Sequence, residues 1–320
     1  MNNSLFREND IEHEKTVITE EINKYQDMPE DWICFLINQL LWKNTPLAHN
    51  VLGEKVTVNN FNREKILDYF SHTYHPENMV IGIAGNISTE LIRETIRNTP
   101  LNVIKEKYEF TEPIINTKQQ NKPEWNLIPK KINQAHLCFG FETISRFHPD
   151  KITMDLLNII LGAGLSSRLF QKIRVEEGLS YDIHSYTQYF NNTGSFNIYA
   201  GVDPDKLNRS VEIILKELTE LKNHIVGVKE LKKAKEMYKG SILLGLENTL
   251  SHAFRLGSYL LLYRKKYQYR DLIEKIERIN ADDIKDLAQR VFLENKINLI
   301  AFYPVEIKIN ENDLIGKLKI

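Results

Sequence analysis

Two pairs of residues in this 320-residue sequence have the types and spacing to do chemistry. Arg174 and Tyr181 stand seven positions apart on either side of Gly178. A guanidinium donates a rigid fork of hydrogen bonds, and a phenol both donates and accepts, so together they could grip a peptide backbone. Glu14 and Glu21 are also seven apart. At about 100° per residue they share one helical stripe with Val17, Ile18, Ile22 and Tyr25, whose apolar members should point at a core. Carboxylates there are costly unless a cation, a metal or strong donors meet them. Each pair also has a plainer explanation. Arg174 could complete a helix dipole beside a half-buried sheet tyrosine, and Glu14 and Glu21 could sit in structural salt bridges.

The elements that must position Arg174 and Tyr181 lie within residues 165–189. Ser166 can cap a helix, Leu169, Phe170 and Ile173 follow at three- and four-residue spacing, and Gly178 stands where a left-handed terminator is wanted. Alternation then predicts a strand with Leu179, Tyr181 and Ile183 on one face and Ser180, Asp182 and His184 on the other. Asn191-Asn192-Thr193-Gly194 supplies a turn, and residues 195–202 the partner strand. A tight corner at Gly178 would bring the guanidinium and the phenol to the same side of the sheet.

The same signals place helices over 10–25, 30–42, 60–74 and 88–98, with a strand over 79–85. Residues 105–130 are polar and carry Pro113, Pro123 and Pro129, which reads as a linker between a first region, 1–104, and a second, 131–320. The second region opens with a strand over 134–141 and a helix over 150–161, and closes with a helix over 280–291 and a strand over 296–303. Between them run an apolar-striped helix from Asp203-Pro204 and helices from Val228 to about Tyr263. The fold class expected is α+β, with mainly antiparallel sheets backed by helices.

Composition narrows the function classes. An apolar fraction of 42% is enough for packed cores. A formal net charge of -1, with Lys and Glu mixed along the chain, provides no field to recruit nucleic acid or acidic lipid. Cys34 and Cys138 each sit in an apolar run and read as reduced core thiols. No stretch approaches the apolar length of a membrane span, and the first residues lack a signal pattern, so neither a membrane partner nor export is expected and a cytoplasmic address is the default.

Several segments resemble the pitrilysin, insulinase and mitochondrial processing peptidase family of zinc endopeptidases. The Arg174 and Tyr181 spacing matches that of the pair which holds the substrate backbone in that family. The run E-K-T-V-I-T-E-E-I from Glu14 resembles its distal zinc-ligand helix, which implies Glu21 as the third zinc ligand and Glu14 as a supporting carboxylate. Thr45-Pro46-Leu47-Ala48-His49 looks like a family loop, making His49 a loop residue. Ala234-Lys235, Gly240-Ser241 and Leu246-Glu247 fall as in a further family segment. The resemblance implies zinc as cofactor, a peptide substrate, and two homologous halves with the first incomplete. His72 and His75 have H-x-x-H spacing, but no acid lies between them and Pro76 ends the helix, so they do not read as a metal pair.

A repeat at one offset agrees with two halves. Adding 218 takes Asn62 to Asn280, Ile66 to Ile284, Asp68 to Asp286 and Ile81 to Leu299. By that register about 88 residues of the first half would precede Met1, among them the helix that carries H-x-x-E-H in the resembled family. No H-x-x-E-H occurs in the sequence. A catalytic zinc needs three protein ligands, an open position for water and a separate base. Three readings follow, one of them a decayed remnant with no stable role. The chain is the greater part of a truncated zinc endopeptidase, inactive alone. Alternatively it is a non-catalytic or structural subunit that brings Arg174 and Tyr181 to a zinc-bearing partner in a homo- or hetero-dimer.

Overall fold

The computed structural model describes residues 4–98, 115 and 120–320. Twelve α-helices are formed by the described residues. They are α1 (Glu8–Asp27), α2 (Pro29–Leu41), α3 (Lys55–Asn59), α4 (Arg63–Thr73), α5 (Thr89–Asn98), α6 (Lys151–Leu161), α7 (Leu207–Asn223), α8 (Val228–Glu247), α9 (Thr249–Tyr263), α10 (Tyr269–Arg278), α11 (Ala281–Val291) and α12 (Glu311–Gly316). Five strands accompany them: β1 (Glu124–Lys130), β2 (Ala135–Thr143), β3 (Ser180–Tyr189), β4 (Gly194–Val202) and β5 (Asn298–Pro304). The class is α+β. No described helix is long and apolar enough to cross a membrane.

The chain divides into two compact units, neither continuous in sequence. Met1–Ile22, Leu52–Glu112 and Lys239–Ile273 form one; Asn23–Val51, Pro113–Tyr238 and Glu274–Ile320 form the other. These units differ from the division into 1–104 and 131–320 expected from the sequence. The cause in the second unit is the sheet, whose order is β1-β5-β2-β4-β3 with β1 parallel to β5 and every other pair antiparallel. One face carries Phe139, Phe141, Phe196, Ile198 and Leu299 into a core closed by Leu157 of α6, Leu218 of α7 and Leu287 of α11. The other face presents Cys138, Tyr199, Ile300 and Phe302, and α2 covers it with Ile33 and Ile37. Both isoleucines are fully buried, each a contribution of about 1.5–3 kcal/mol. Cys34 and Cys138, isolated in sequence, become neighbours here, with Cys138 buried and Cys34 half-buried.

The linker reading also needs correction. Residues 105–114 and 116–119 lie outside the described ones, but Glu124–Lys130 is a ladder strand from Glu124 opposite Asn298 to Lys130 opposite Pro304. Polar composition and Pro113, Pro123 and Pro129 suggested a linker, yet β1 is an edge strand, which tolerates the missing donor of Pro129.

In the other unit the stretch read as a strand over 79–85 is not paired with any described strand. It packs on α9 instead: a Cβ on Gly82 would fall 2.5 Å from the Ala253 carbonyl oxygen. The repeat holds at the helix starts. Asn62 accepts from the Lys65 N–H at the start of α4, and Asn280 accepts from the Asp283 N–H at the start of α11. It fails at the strand that should follow α4.

The docking of α2 depends on Gly140 of β2, where an added Cβ would lie 2.6 Å from Ile37 Cγ1. Gly140→Ala should therefore destabilise the second unit by about 1–3 kcal/mol through overpacking, read as a lower urea midpoint at unchanged slope. A change within about 0.5 kcal/mol, the range of ordinary surface substitutions, would contradict the close approach.

Candidate substrate-binding cleft

Arg174 and Tyr181 are presented by two local irregularities that periodicity does not reveal. The helix expected from Ser166 starts at Arg168, and Phe170–Glu176 is π-helical. The Glu177 N–H bonds to the Lys172 carbonyl, five residues back, at 3.1 Å. Such wide turns are rare and concentrate at functional sites. Ser167, rather than Ser166, donates its hydroxyl to the Gly164 carbonyl at 2.7 Å. Gly178 takes φ +63°, the left-handed corner read from the sequence, and buried Ile173 and Leu179 anchor it through a 2.8 Å backbone bond. Arg174 is left exposed, its guanidinium carbon 5.1 Å from the centre of the Phe170 ring. It makes no ion pair among the described residues.

Tyr181 sits on a β-bulge. Ser180 stands opposite Val202 and Asp182 opposite Gly201, so Tyr181 is an extra residue on β3. The buried Ser180 hydroxyl donates to the Gly201 carbonyl at 2.8 Å and holds the distortion. A bulge breaks the two-residue alternation. The expected face of Leu179, Tyr181 and Ile183 is therefore corrected: Leu179 and Ile183 are buried, whereas Tyr181 is 74% exposed and lines the same cleft as Asp182.

That cleft, about 340 Å³, has the start of α2 on one side and His136, Tyr181, Asp182 and Tyr199 on the sheet side. His136 Nδ1 lies 2.8 Å from the Tyr199 hydroxyl. Burial, reinforced by the charge of Lys130, pushes the His136 pKa down to about 4. Burial also raises the Tyr199 phenol. Glu30, in the first turn of α2, is raised above the usual carboxylate range by burial and then by Asp182, with His184 opposing. One donor atom each of Glu30, Asp182 and His184 lies within 4.8 Å of the others. Residue spacing did not single out these three; the alternation that put Asp182 and His184 on one strand face was the available signal, and Glu30 joins them only because α2 docks on the sheet.

Glu14 and Glu21 are both exposed, and neither makes a hydrogen bond or ion pair among the described residues. The stripe expected to face a core is rotated. Helix α1 is buried along Ile11 and Ile22, with Val17 39% exposed. At about 100° per residue the two carboxylates fall about 70–90° to one side of that buried line. A zinc centre needs two further protein ligands and a base, and no described His, Cys, Asp or Glu cluster includes Glu21. The residues present do not by themselves fit a catalytic zinc. The histidines singled out earlier do not alter this. His49 is exposed after the Pro46–Ala48 turn, His72 lies 3.3 Å from Asp68, and His75 is buried beyond the end of α4.

The depressed His136 pKa fixes a pH dependence. Between its ordinary value of 6.5 and about 4 the unfolded chain binds a proton that the folded chain refuses, so stability falls as pH drops through that window. His136→Gln should flatten this part of the stability profile, measured as urea midpoints at pH 7 and pH 4.5. An unchanged profile would show that His136 titrates normally.

The profile described as "Peptidase M16 inactive domain" matches residues 60–238. A Bacillus subtilis protein named "Uncharacterized zinc protease YmxG" is 33% identical over 293 residues, covering 91% of this chain and 70% of that one. A Streptomyces coelicolor protein named "Uncharacterized zinc protease SCO5738" is 30% identical over 294 residues, covering 90% of this chain and 64% of that one. Among solved structures, a protease from Helicobacter pylori superposes with TM-score 0.83 at 20% identity, over 93% of this chain and 72% of that one. A chain of complex III2 from Candida albicans superposes with TM-score 0.78 at 16% identity, over 96% of this chain and 74% of that one. These structural likenesses are to the fold alone. On the profile match and the identity to its Bacillus relative, the chain belongs to the peptidase M16 family.

Proposed function

We propose that this chain is the substrate-holding part of a zinc endopeptidase and that Arg174 and Tyr181 grip the backbone of an extended peptide. The observation that supports this reading is their presentation. Both polar ends are exposed and make no hydrogen bond or ion pair among the described residues, one on a π-helical turn and the other on a β-bulge, at either end of the Gly178 corner. The guanidinium donates to peptide carbonyl oxygens. The phenol donates to a carbonyl, or to the oxyanion that develops when that carbonyl is attacked.

The catalytic zinc enters only by assembly. Glu21 offers one ligand, with Glu14 beside it as a supporting carboxylate, and the H-x-x-E-H ligands and base come from polypeptide outside these 320 residues. A longer form of the chain or a zinc-bearing homologous subunit in a homo- or hetero-dimer would supply them. The incomplete donor set around Glu21 favours a second reading equally, a non-catalytic subunit that lends its Arg/Tyr pair to such a partner. In both, the peptide contacts are the same.

In a zinc-bearing assembly, Arg174→Ala and Tyr181→Phe should each lower kcat/KM for an unfolded peptide by about 10-fold or more, the value of a lost charge-assisted or transition-state hydrogen bond, with bound zinc unchanged. Loss of zinc in either variant, or unaltered turnover in both, would refute the assignment.

A further inference from the structure

Glu30 and Asp182 are brought together from positions about 150 residues apart, by the docking of α2 and by the bulge that sets the register of β3. Their carboxylates and the His184 imidazole converge within 4.8 Å. No lysine or arginine meets either carboxylate among the described residues; the one close charge contact is His184 Nδ1 to Asp182 Oδ1 at 3.5 Å. Asp31 adds further negative charge on the same helical turn. Two acids held side by side with no lysine or arginine between them are mutually repulsive, and a divalent cation removes this cost while using the imidazole as well. Asp182 and His184 are two residues apart beyond the bulge, on the sheet face that Tyr199 also occupies, and the Tyr199 ring stands 5.3 Å from the imidazole.

We propose that Glu30, Asp182 and His184 form a binding site for a first-row divalent transition-metal ion at the mouth of the cleft. The nitrogen donor selects such an ion over magnesium or calcium, which take oxygen ligands. Two carboxylates balance its charge, and three protein ligands leave positions open toward the cleft for water or for a carbonyl or carboxylate of a bound peptide. The site does not depend on the proposed peptide-holding role of Arg174 and Tyr181, because its ligands and its readout are separate.

The test is metal binding by the chelator-stripped 320-residue chain, with Zn2+, Co2+ and Mn2+ as probes in calorimetry and cobalt absorption. One saturable equivalent is expected, weakened at least 10-fold by each of Glu30→Gln, Asp182→Asn and His184→Gln. Circular dichroism in chelator checks that the variants fold. A measurement on the unsubstituted chain needs no variant at all: substoichiometric Mn2+ should broaden the His184 and Asp182 resonances before those of His148 and His224. Absence of saturable binding, broadening centred elsewhere, or binding lost on Glu21→Gln and retained in the three variants would overturn the proposal.

Discussion

A five-stranded sheet that is apolar on both faces must be covered twice, and the rest of the second unit follows from that requirement. Strand β4 is buried along its whole length, so helices on one side alone cannot satisfy it. The helices α6, α7 and α11 close one face; α2, drawn from near the N-terminus, closes the other. Gly140 permits the approach by leaving no Cβ between β2 and Ile37. Because α2 lies there, its first turn forms a wall of the cleft and Glu30 meets Asp182 and His184. Packing thus determines where the chemistry-bearing groups can be.

Regular elements would not have presented the Arg/Tyr pair. A strict alternation along β3 puts Tyr181 with Leu179 and Ile183, inside the core, and one extra residue turns it out to the cleft. The wide turn at Phe170–Glu176 likewise ends with Arg174 exposed over Phe170 while Ile173 stays buried. Both distortions give up regular hydrogen-bond geometry, and both lie within a few residues of the Gly178 corner. Irregularity gathered at one corner is the pattern expected where backbone strain serves a binding site.

Much of the fold was legible because it rests on local signals. The left-handed glycine, the Asn caps of α4 and α11 and the β3–β4 hairpin are each set by residues within a few positions of one another. What was not legible depends on distant partners. Pro129 looked like a linker until β5 made β1 an edge strand. Residues 79–85 alternate as a strand, but no described strand pairs with them. Helix α2 reads as an apolar helix, and nothing in its own sequence says which sheet it will cover. Among the candidate site residues, Arg174 and Tyr181 were visible from spacing, and Glu14 and Glu21 were visible as an acidic pair although their stripe proved exposed. Glu30, Asp182 and His184 were invisible as a group because tertiary packing alone assembles them.

Membership of the peptidase M16 family and the exposure of both side chains on either side of the Gly178 corner meet in one claim, that Arg174 and Tyr181 hold peptide backbone. The most direct measurement is a titration of the 320-residue chain with an unfolded peptide, following the Arg174 guanidinium and Tyr181 ring resonances by NMR. Both should move together and saturate at the same peptide concentration. Saturable peptide binding that leaves both side chains unmoved would contradict the claim.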